Sequence, residues 1–199
     1  DSVIAGNLVA FGVKPTRAET GYGYLEIENQ KQFRDPTPVK RFIEKPDISL
    51  ARKMLSENKY FWNSGLFMFR ARDLIKQAEI FASIMVELIE KSIKEGKEDL
   101  GFFRLDPKAW SQCENISIDY AIMEKTKSIM AMPLSSKWSD LGNWSSVWSE
   151  MSPDEQGVEC SGNSHAIGCT NSLLRTEGEG HLVGLGLDNI IAISTSDAV

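Results

Sequence analysis

The chain has 199 residues, 42% of them hydrophobic and 25% charged, which gives a folded globular protein with core enough for one domain or two and no sign of disorder. Twenty-two Lys and Arg against 28 Asp and Glu leave a net charge of -6, arguing against a broad basic face for duplex nucleic acid. Small-molecule ligands are favoured, since a few local cations suffice to hold a phosphorylated one.

In chain order, Leu8 to Val13 is an apolar run closed by Gly12 and by Lys14-Pro15-Thr16, which predicts a buried strand ending in a loop. Tyr24 to Glu28 and Val39 to Ile43 alternate apolar and polar residues around a Pro-rich turn at Asp35-Pro36-Thr37-Pro38, and so predict a hairpin. Asp47 and Ser49 can each cap a helix running to about Asn58, with Leu50, Met54 and Leu55 as its apolar stripe. Phe61 to Gly65 breaks that helix, and Gly65 to Phe69 suits a central strand. Asp73 then caps one long helix through Leu74, Ala78, Phe81, Met85 and Leu88, stopped by Gly96. Ile118 to Lys125 reads as a helix capped by Ser117, Ser128 to Leu134 as a strand, and Asp140 to Trp144 as a turn feeding a short helix. The tail is rich in Gly, Asn and Ser between short apolar runs. There His181 to Leu185 and Ile190 to Ile193 flank a hairpin-like or solenoid-like turn at Asp188-Asn189. The pattern predicts an α/β layer structure over residues 1–152 and a small β-rich module over 153–199.

No stretch approaches the roughly 18 to 20 apolar residues of a membrane span, and the start lacks a secretory n-region and h-region. Cys113, Cys160 and Cys169 form no C-x-x-C pair, which fits a reducing compartment. A cytoplasmic protein with neither nucleic acid nor membrane as partner is expected. The absence of Met at position 1 fits a piece of a longer chain or a processed one.

His165 and His181 are the only histidines and read as structural or surface residues, so no serine-histidine-acid set is proposed. Four other clusters place polar groups or glycines where strands end, the usual place for ligand groups in α/β sheets. In Pro15 to Tyr24, Gly21 and Gly23 let backbone approach a sugar ring and Tyr22 offers a flat face, although a plain turn needs no ligand. Glu44 and Lys45 give one carboxylate for adjacent hydroxyls and one compact cation for a phosphate; an exposed ion pair is the plainer reading. Asn63 and Gly65 open a strand with an amide that can donate and accept, or form a satisfied turn. Asp140, between Trp138 and Trp144, is either a helix cap or a hard-oxygen ligand for magnesium.

Taken together, Phe11 to Thr16, Glu19 to Tyr24, Phe42 to Pro46, Asn63 to Phe67, Ser117 to Glu124 and Trp138 to Trp144 resemble, in order, successive blocks of bacterial mannose-1-phosphate guanylyltransferases, including those fused to a phosphomannose isomerase. The resemblance implies part of a Rossmann-like nucleotidyltransferase mixed sheet followed by a β-helix-like module. It also implies transfer of a guanylyl group from GTP to mannose 1-phosphate, giving GDP-mannose and pyrophosphate with Mg2+ assistance. On the same basis Lys45 would hold the sugar phosphate and Glu44 the mannose hydroxyls. Asn63, with Gly65 and the Gly21-Tyr22-Gly23 loop, would hold the ring, and Asp119 would line the pocket. Asp140 would ligate the metal, so Lys45 and Asp140 are the catalytic candidates. The family's glycine-rich G-G-x-G-T-R-L-x-P stretch does not occur in these residues, which predicts a chain inactive without a nucleotide-binding half. If Leu8 to Val13 comes from the middle of a parent sheet, an apolar edge is exposed and a homo-oligomer is expected. Another hexose-1-phosphate nucleotidyltransferase, or a non-catalytic sugar-phosphate-binding or oligomerisation module, stands as the alternative.

Overall fold

A computed structural model of the chain describes residues 1–28 and 34–199. The connection at 29–33, inside the expected hairpin, lies outside the described residues. Contacts group the chain into two compact units, 1–136 and 137–199.

In the first unit, β1 (Leu8–Val13) lies between β4 (Tyr60–Met68), antiparallel to it, and β7 (Ile129–Pro133), parallel to it from Leu8↔Ile129 to Gly12↔Pro133. β2 (Tyr24–Ile27) and β3 (Thr37–Ile43) pair antiparallel, as their alternation predicts. β2 also pairs with β4, and β3 with β7, which closes a mixed five-stranded sheet in the order β1-β4-β2-β3-β7. The open apolar edge expected at β1 is therefore absent: both its sides carry ladder hydrogen bonds. Leu8, Ala10, Leu25, Ile27, Phe42 and Phe61 meet Ala121, Ile122 and Met123 in the core. Each large side chain removed from water there contributes roughly 1.5–3 kcal/mol.

β4 differs from its prediction in a way that matters for the site. It begins at Tyr60 rather than Gly65, and its buried part is Tyr60 to Asn63. Against β1, Ala10 pairs with Phe67 and Gly12 with Asn63, so Ser64, Gly65 and Leu66 together face Phe11. Gly65 adopts φ +74, a conformation glycine reaches without strain, and this bulge re-aims Asn63 inward.

α1 (Ile48–Glu57) starts where Asp47 accepts from the Leu50 amide at 2.9 Å; of the two proposed caps, Ser49 lies inside the helix. The single helix expected from Asp73 to Gly96 is two, α2 (Ala71–Phe81) and α3 (Ser83–Lys94), broken at Ala82 with φ -146 and ψ 42. Alanine has the highest helix propensity, so packing and not propensity sets the break. Asp73 caps nothing: it sits in the first turn of α2 and takes the Arg70 Nε hydrogen bond at 2.5 Å. β5 (Lys97–Asp99) and β6 (Phe102–Arg104) make a hairpin turned by Leu100 and Gly101, both at positive φ, and α4 (Pro107–Trp110) is capped by Asp106. Asp119–Met123 forms a π-helical turn where an α-helix is predicted.

In the second unit α5 (Trp144–Ser149) is capped by Asn143, whose Oδ1 accepts from the Ser146 amide at 2.8 Å. The strands β8 (Glu159–Ser161), β9 (Ser164–Ile167), β10 (Leu173–Thr176), β11 (Leu182–Leu185) and β12 (Ile191–Ser194) all pair in parallel. They form sheets of order β12-β10-β8 and β11-β9, so β11 and β12 do not make the hairpin that Asp188-Asn189 allows. The boundary placed at 152/153 from sequence falls inside this unit, where the Arg175 guanidinium stacks 5.6 Å from the Trp144 ring centroid.

Candidate functional site

In the first unit, the ends of β2, β3 and β4 and the π-helical turn bring Gly23, Glu44, Lys45, Asn63 and Asp119 together. The hairpin fixes Gly23 beside Glu44 through the Tyr24↔Ile43 register, and the Asn63 amide donates to the Gly23 carbonyl at 2.7 Å. A Cβ on Gly23 would sit 2.5 Å from Glu44 Oε2, 3.2 Å from Asn63 Cβ and 3.3 Å from Phe42 Cε1. Any other residue here would force the Glu44 carboxylate to move.

Lys45 follows at φ +47, an uncommon conformation for a residue with a Cβ, costing on the order of 1–2 kcal/mol. The Lys45 amide donates to the Tyr22 carbonyl at 3.2 Å and the Glu44 amide to Glu124 Oε1 at 2.8 Å, so the turn is tied at consecutive residues. The reversal keeps the Glu44 side chain at 10% exposure and leaves that of Lys45 at 58%, with Nζ 3.8 Å from Glu44 Oε1. The cation is thus offered to solvent, where a phosphate can reach it, while the carboxylate lines the inner wall.

Asn63 is buried with both ends of its amide engaged: Nδ2 donates to Asp119 Oδ1 at 3.4 Å, and Oδ1 accepts from the Gly65 amide at 3.2 Å. One Asn63 amide hydrogen remains as hydrogen-bonding capacity, while the Asp119 carboxylate also bonds its own backbone amide and Ser117 and keeps only its remaining lone pairs for a ligand. Burial, then the neighbouring Asp119 charge, pushes the Glu44 carboxyl above its ordinary range, against the lowering effect of Lys45. Burial likewise raises Asp119. Carboxylates held partly out of water next to one cation are suited to accept from sugar hydroxyls.

Gly21, Tyr22 and Gly23 lie on one wall. Tyr22 packs edge-on to Trp62 with centroids 5.3 Å apart, and the Arg17 guanidinium covers the Trp62 ring at 5.3 Å. Arg17 Nε pairs with Glu19 Oε2 at 3.1 Å, while Glu19 Oε1 accepts from the Thr20 and Gly21 amides at 3.0 and 3.1 Å, which sets the loop. Gly65 stands in the β4 bulge with open space around it and acts through backbone conformation. Sequence reasoning missed Glu124 and Arg17. Glu124 ends the Ser117 to Glu124 block, but only the fold shows its carboxylate meeting a residue 80 positions away.

Asp140 belongs to the second unit. Leu141 after it has φ +50, and a Cβ on Gly142 would meet Asp140 Oδ2 at 2.5 Å, so the turn folds back over the carboxylate. The capping residue of α5 is Asn143, so the cap reading of Asp140 does not hold. No group of three or more His, Cys, Asp or Glu positioned to hold a metal occurs among the described residues. A single hard-oxygen carboxylate still fits magnesium, which commonly takes one or two carboxylates and fills its other positions with phosphate and water oxygens.

Residues 3–157 match the nucleotidyl transferase family. The chain is 38% identical over 194 residues to the xanthan biosynthesis protein XanB of Xanthomonas campestris pv. campestris, covering 98% of this chain and 40% of that protein. It is 36% identical, with the same coverage of each, to the mannose-1-phosphate guanylyltransferase RfbM of Salmonella typhimurium. The chain therefore spans about two fifths of the length of these relatives. A crystal structure described as mannose-1-phosphate geranyltransferase from Thermus thermophilus superposes with TM-score 0.81 at 24% identity, covering 98% of this chain and 56% of that one, a likeness of fold. The match over most of the chain, on a mixed α/β fold with ligand groups at its strand ends, makes this protein a member of the nucleotidyl transferase family.

Proposed function

We propose that the chain carries the sugar-phosphate side of a mannose-1-phosphate guanylyltransferase, which joins mannose 1-phosphate to the α-phosphate of GTP with release of pyrophosphate. The observation that carries this reading is the Glu44-Lys45 turn, which separates a half-buried carboxylate for hydroxyls from an exposed ammonium for a phosphate on adjacent residues. Lys45 binds and orients the sugar phosphate as the nucleophile, and its charge offsets the repulsion between that phosphate and the triphosphate. Glu44 and Asp119 accept from ring hydroxyls, Asn63 supplies its remaining amide hydrogen, and Gly23 leaves the room that the Glu44 carboxylate occupies beside the ring. Gly21 and Tyr22 flank it. Positioning of this kind accounts for the reaction without a protein nucleophile.

Asp140 would give a carboxylate oxygen to Mg2+, which when bound neutralises phosphate charge. The glycine-rich G-G-x-G-T-R-L-x-P stretch expected to grip GTP does not occur in these residues, and on that basis the isolated chain is proposed to be inactive. The parallel pairing of β8 to β12 supports a β-helix-like reading of 153–199, beside a sugar-phosphate domain over 1–152. Exposed Ile167, Val183 and Leu185 on β9 and β11 support association of this module into a homo-oligomer. No helix among the described residues is long and apolar enough to cross a membrane, and the cytoplasm is the proposed place of work.

The test supplies a relative's GTP-binding portion to the chain and measures pyrophosphate release from GTP and mannose 1-phosphate with magnesium. Release is expected, and Lys45→Ala or Asp140→Asn is expected to abolish it. Undiminished release with either change would overturn that residue's role, and a preference for glucose 1-phosphate would overturn the choice of sugar.

A further inference from the structure

Asp119 and Glu124 are five residues apart, a separation that in an α-helix leaves two side chains about 140° apart around the axis. The chain instead forms a π-helical turn here, with the Glu124 amide donating to the Asp119 carbonyl at 2.9 Å. The wider turn lets both carboxylates work on one side: Asp119 meets Asn63 of β4, and Glu124 meets the Glu44 amide just past β3. Single π turns inside helices occur frequently at functional sites. Ala121, Ile122 and Met123, between the two acids, are buried in the core, so the turn is anchored from beneath.

We infer that Glu124 is a positioning residue: by accepting the Glu44 amide it holds the Glu44-Lys45 turn in the conformation that sends the carboxylate inward and the ammonium outward. The inference rests on the sugar-phosphate reading of that turn. The turn has two ties, Glu124 to the Glu44 amide and the Tyr22 carbonyl to the Lys45 amide. The second links neighbouring loops at the rim, whereas the first ties the rim to an exposed carboxylate that directly follows the buried Ala121, Ile122 and Met123. A hydrogen bond to an ionised acceptor is stronger than a neutral one, which suits an anchor for a residue at positive φ. Glu124 does not touch the sugar in this scheme; it acts through Glu44 and Lys45. Its charge also adds, after burial and Asp119, to the forces that raise the Glu44 carboxyl, while Lys45 acts against them on both Glu44 and Asp119.

Glu124→Ala removes the acceptor, and Glu124→Gln keeps an acceptor oxygen while removing the charge, so the pair separates position from charge. In the ligand-free chain, hydrogen exchange of the Glu44 amide read by NMR is expected to be about tenfold or more faster in Glu124→Ala and within about threefold of wild type in Glu124→Gln. Calorimetric titration with mannose 1-phosphate is expected to show a Kd about tenfold weaker in Glu124→Ala, rescued to within about threefold in Glu124→Gln. Unchanged exchange in Glu124→Ala overturns the inference. So does a wild-type Kd in Glu124→Ala with the amide freed, or a Glu124→Gln variant as impaired as Glu124→Ala. If the wild-type chain binds no mannose 1-phosphate, the sugar-phosphate reading fails, and the exchange measurement still decides whether Glu124 restrains the turn.

Discussion

Gly23→Ala isolates the close packing on which the site depends. The added Cβ would meet Glu44 Oε2 at 2.5 Å, about 1 Å inside an ordinary carbon contact, with Asn63 Cβ and Phe42 Cε1 closing the other sides at 3.2 and 3.3 Å. Because Asn63 is held at both ends of its amide and Phe42 belongs to the core, the Glu44 carboxylate is the group that must withdraw. Gly23 is not at positive φ, so alanine itself fits the backbone and restricts the unfolded chain, contributing about 0.4–1 kcal/mol of stability. Crowding costs about 1–3 kcal/mol. The net loss is at most about 2.6 kcal/mol, a fall in Tm of no more than about 10 °C for a chain of this size. Binding suffers more, because a displaced Glu44 forfeits hydrogen bonds from a charged acceptor worth about 1.5–3 kcal/mol, or roughly 10- to 150-fold in Kd. Thermal unfolding and calorimetric titration with mannose 1-phosphate measure the two effects. Wild type is the reference: a Gly23→Ala protein that binds mannose 1-phosphate as well as wild type would refute the packing argument.

Three further outcomes are expected. Lys45→Gly keeps a residue at ease with φ +47 while deleting the cation, so mannose 1-phosphate binding should fall at least about tenfold with Tm unchanged or higher; a lower Tm with intact binding would contradict it. Glu44, raised from the ordinary 4.5 by burial and then by Asp119, binds its proton more tightly in the folded state than in the unfolded chain. Stability from this group is present below about pH 4.5 and is lost as pH rises through the raised folded value, so Glu44→Gln should raise Tm near pH 7 and leave it unaltered near pH 3.5. A variant less stable than wild type near pH 7 would show that ion pairing with Lys45 outweighs desolvation. In the second unit, Gly162→Ala would drive a Cβ to 2.1 Å from the Thr176 carbonyl oxygen at φ +68, costing about 3 kcal/mol or more. An unchanged melting transition would count against the parallel stacking there.

Much of the first unit was legible because its signals are local. The apolar run at Leu8 to Val13 marks β1, and the alternation around the Pro-rich stretch marks β2 and β3, although β3 begins at Thr37 and takes in Thr37 and Pro38 of the expected turn. What is set by distant contacts was not. Nothing local tells that β1 has β4 on one side and β7 on the other, so the exposed edge inferred for it was wrong. The break at Ala82 opposes helix propensity, and the β4 bulge depends on what faces Gly65 across the sheet. Within the site, the residue types of Glu44, Lys45 and Asn63 suggested hydroxyl and phosphate binding, and the family resemblance added Asp119. Their convergence needed the closed sheet and the π-helical turn to be seen. Glu124 closes the Ser117 to Glu124 block, but nothing there pointed to its role, which lies in one hydrogen bond to a backbone amide far along the chain.

The measurement that bears most directly on the central claim is calorimetric titration of the chain with mannose 1-phosphate, set beside mannose and inorganic phosphate as separate ligands. Saturable binding of the sugar phosphate, weaker binding of either half alone, and loss of affinity in both Lys45→Gly and Glu44→Gln are predicted. Absence of binding, or binding that survives both substitutions, would contradict the assignment of Glu44, Lys45, Asn63 and Asp119 as a sugar-phosphate site.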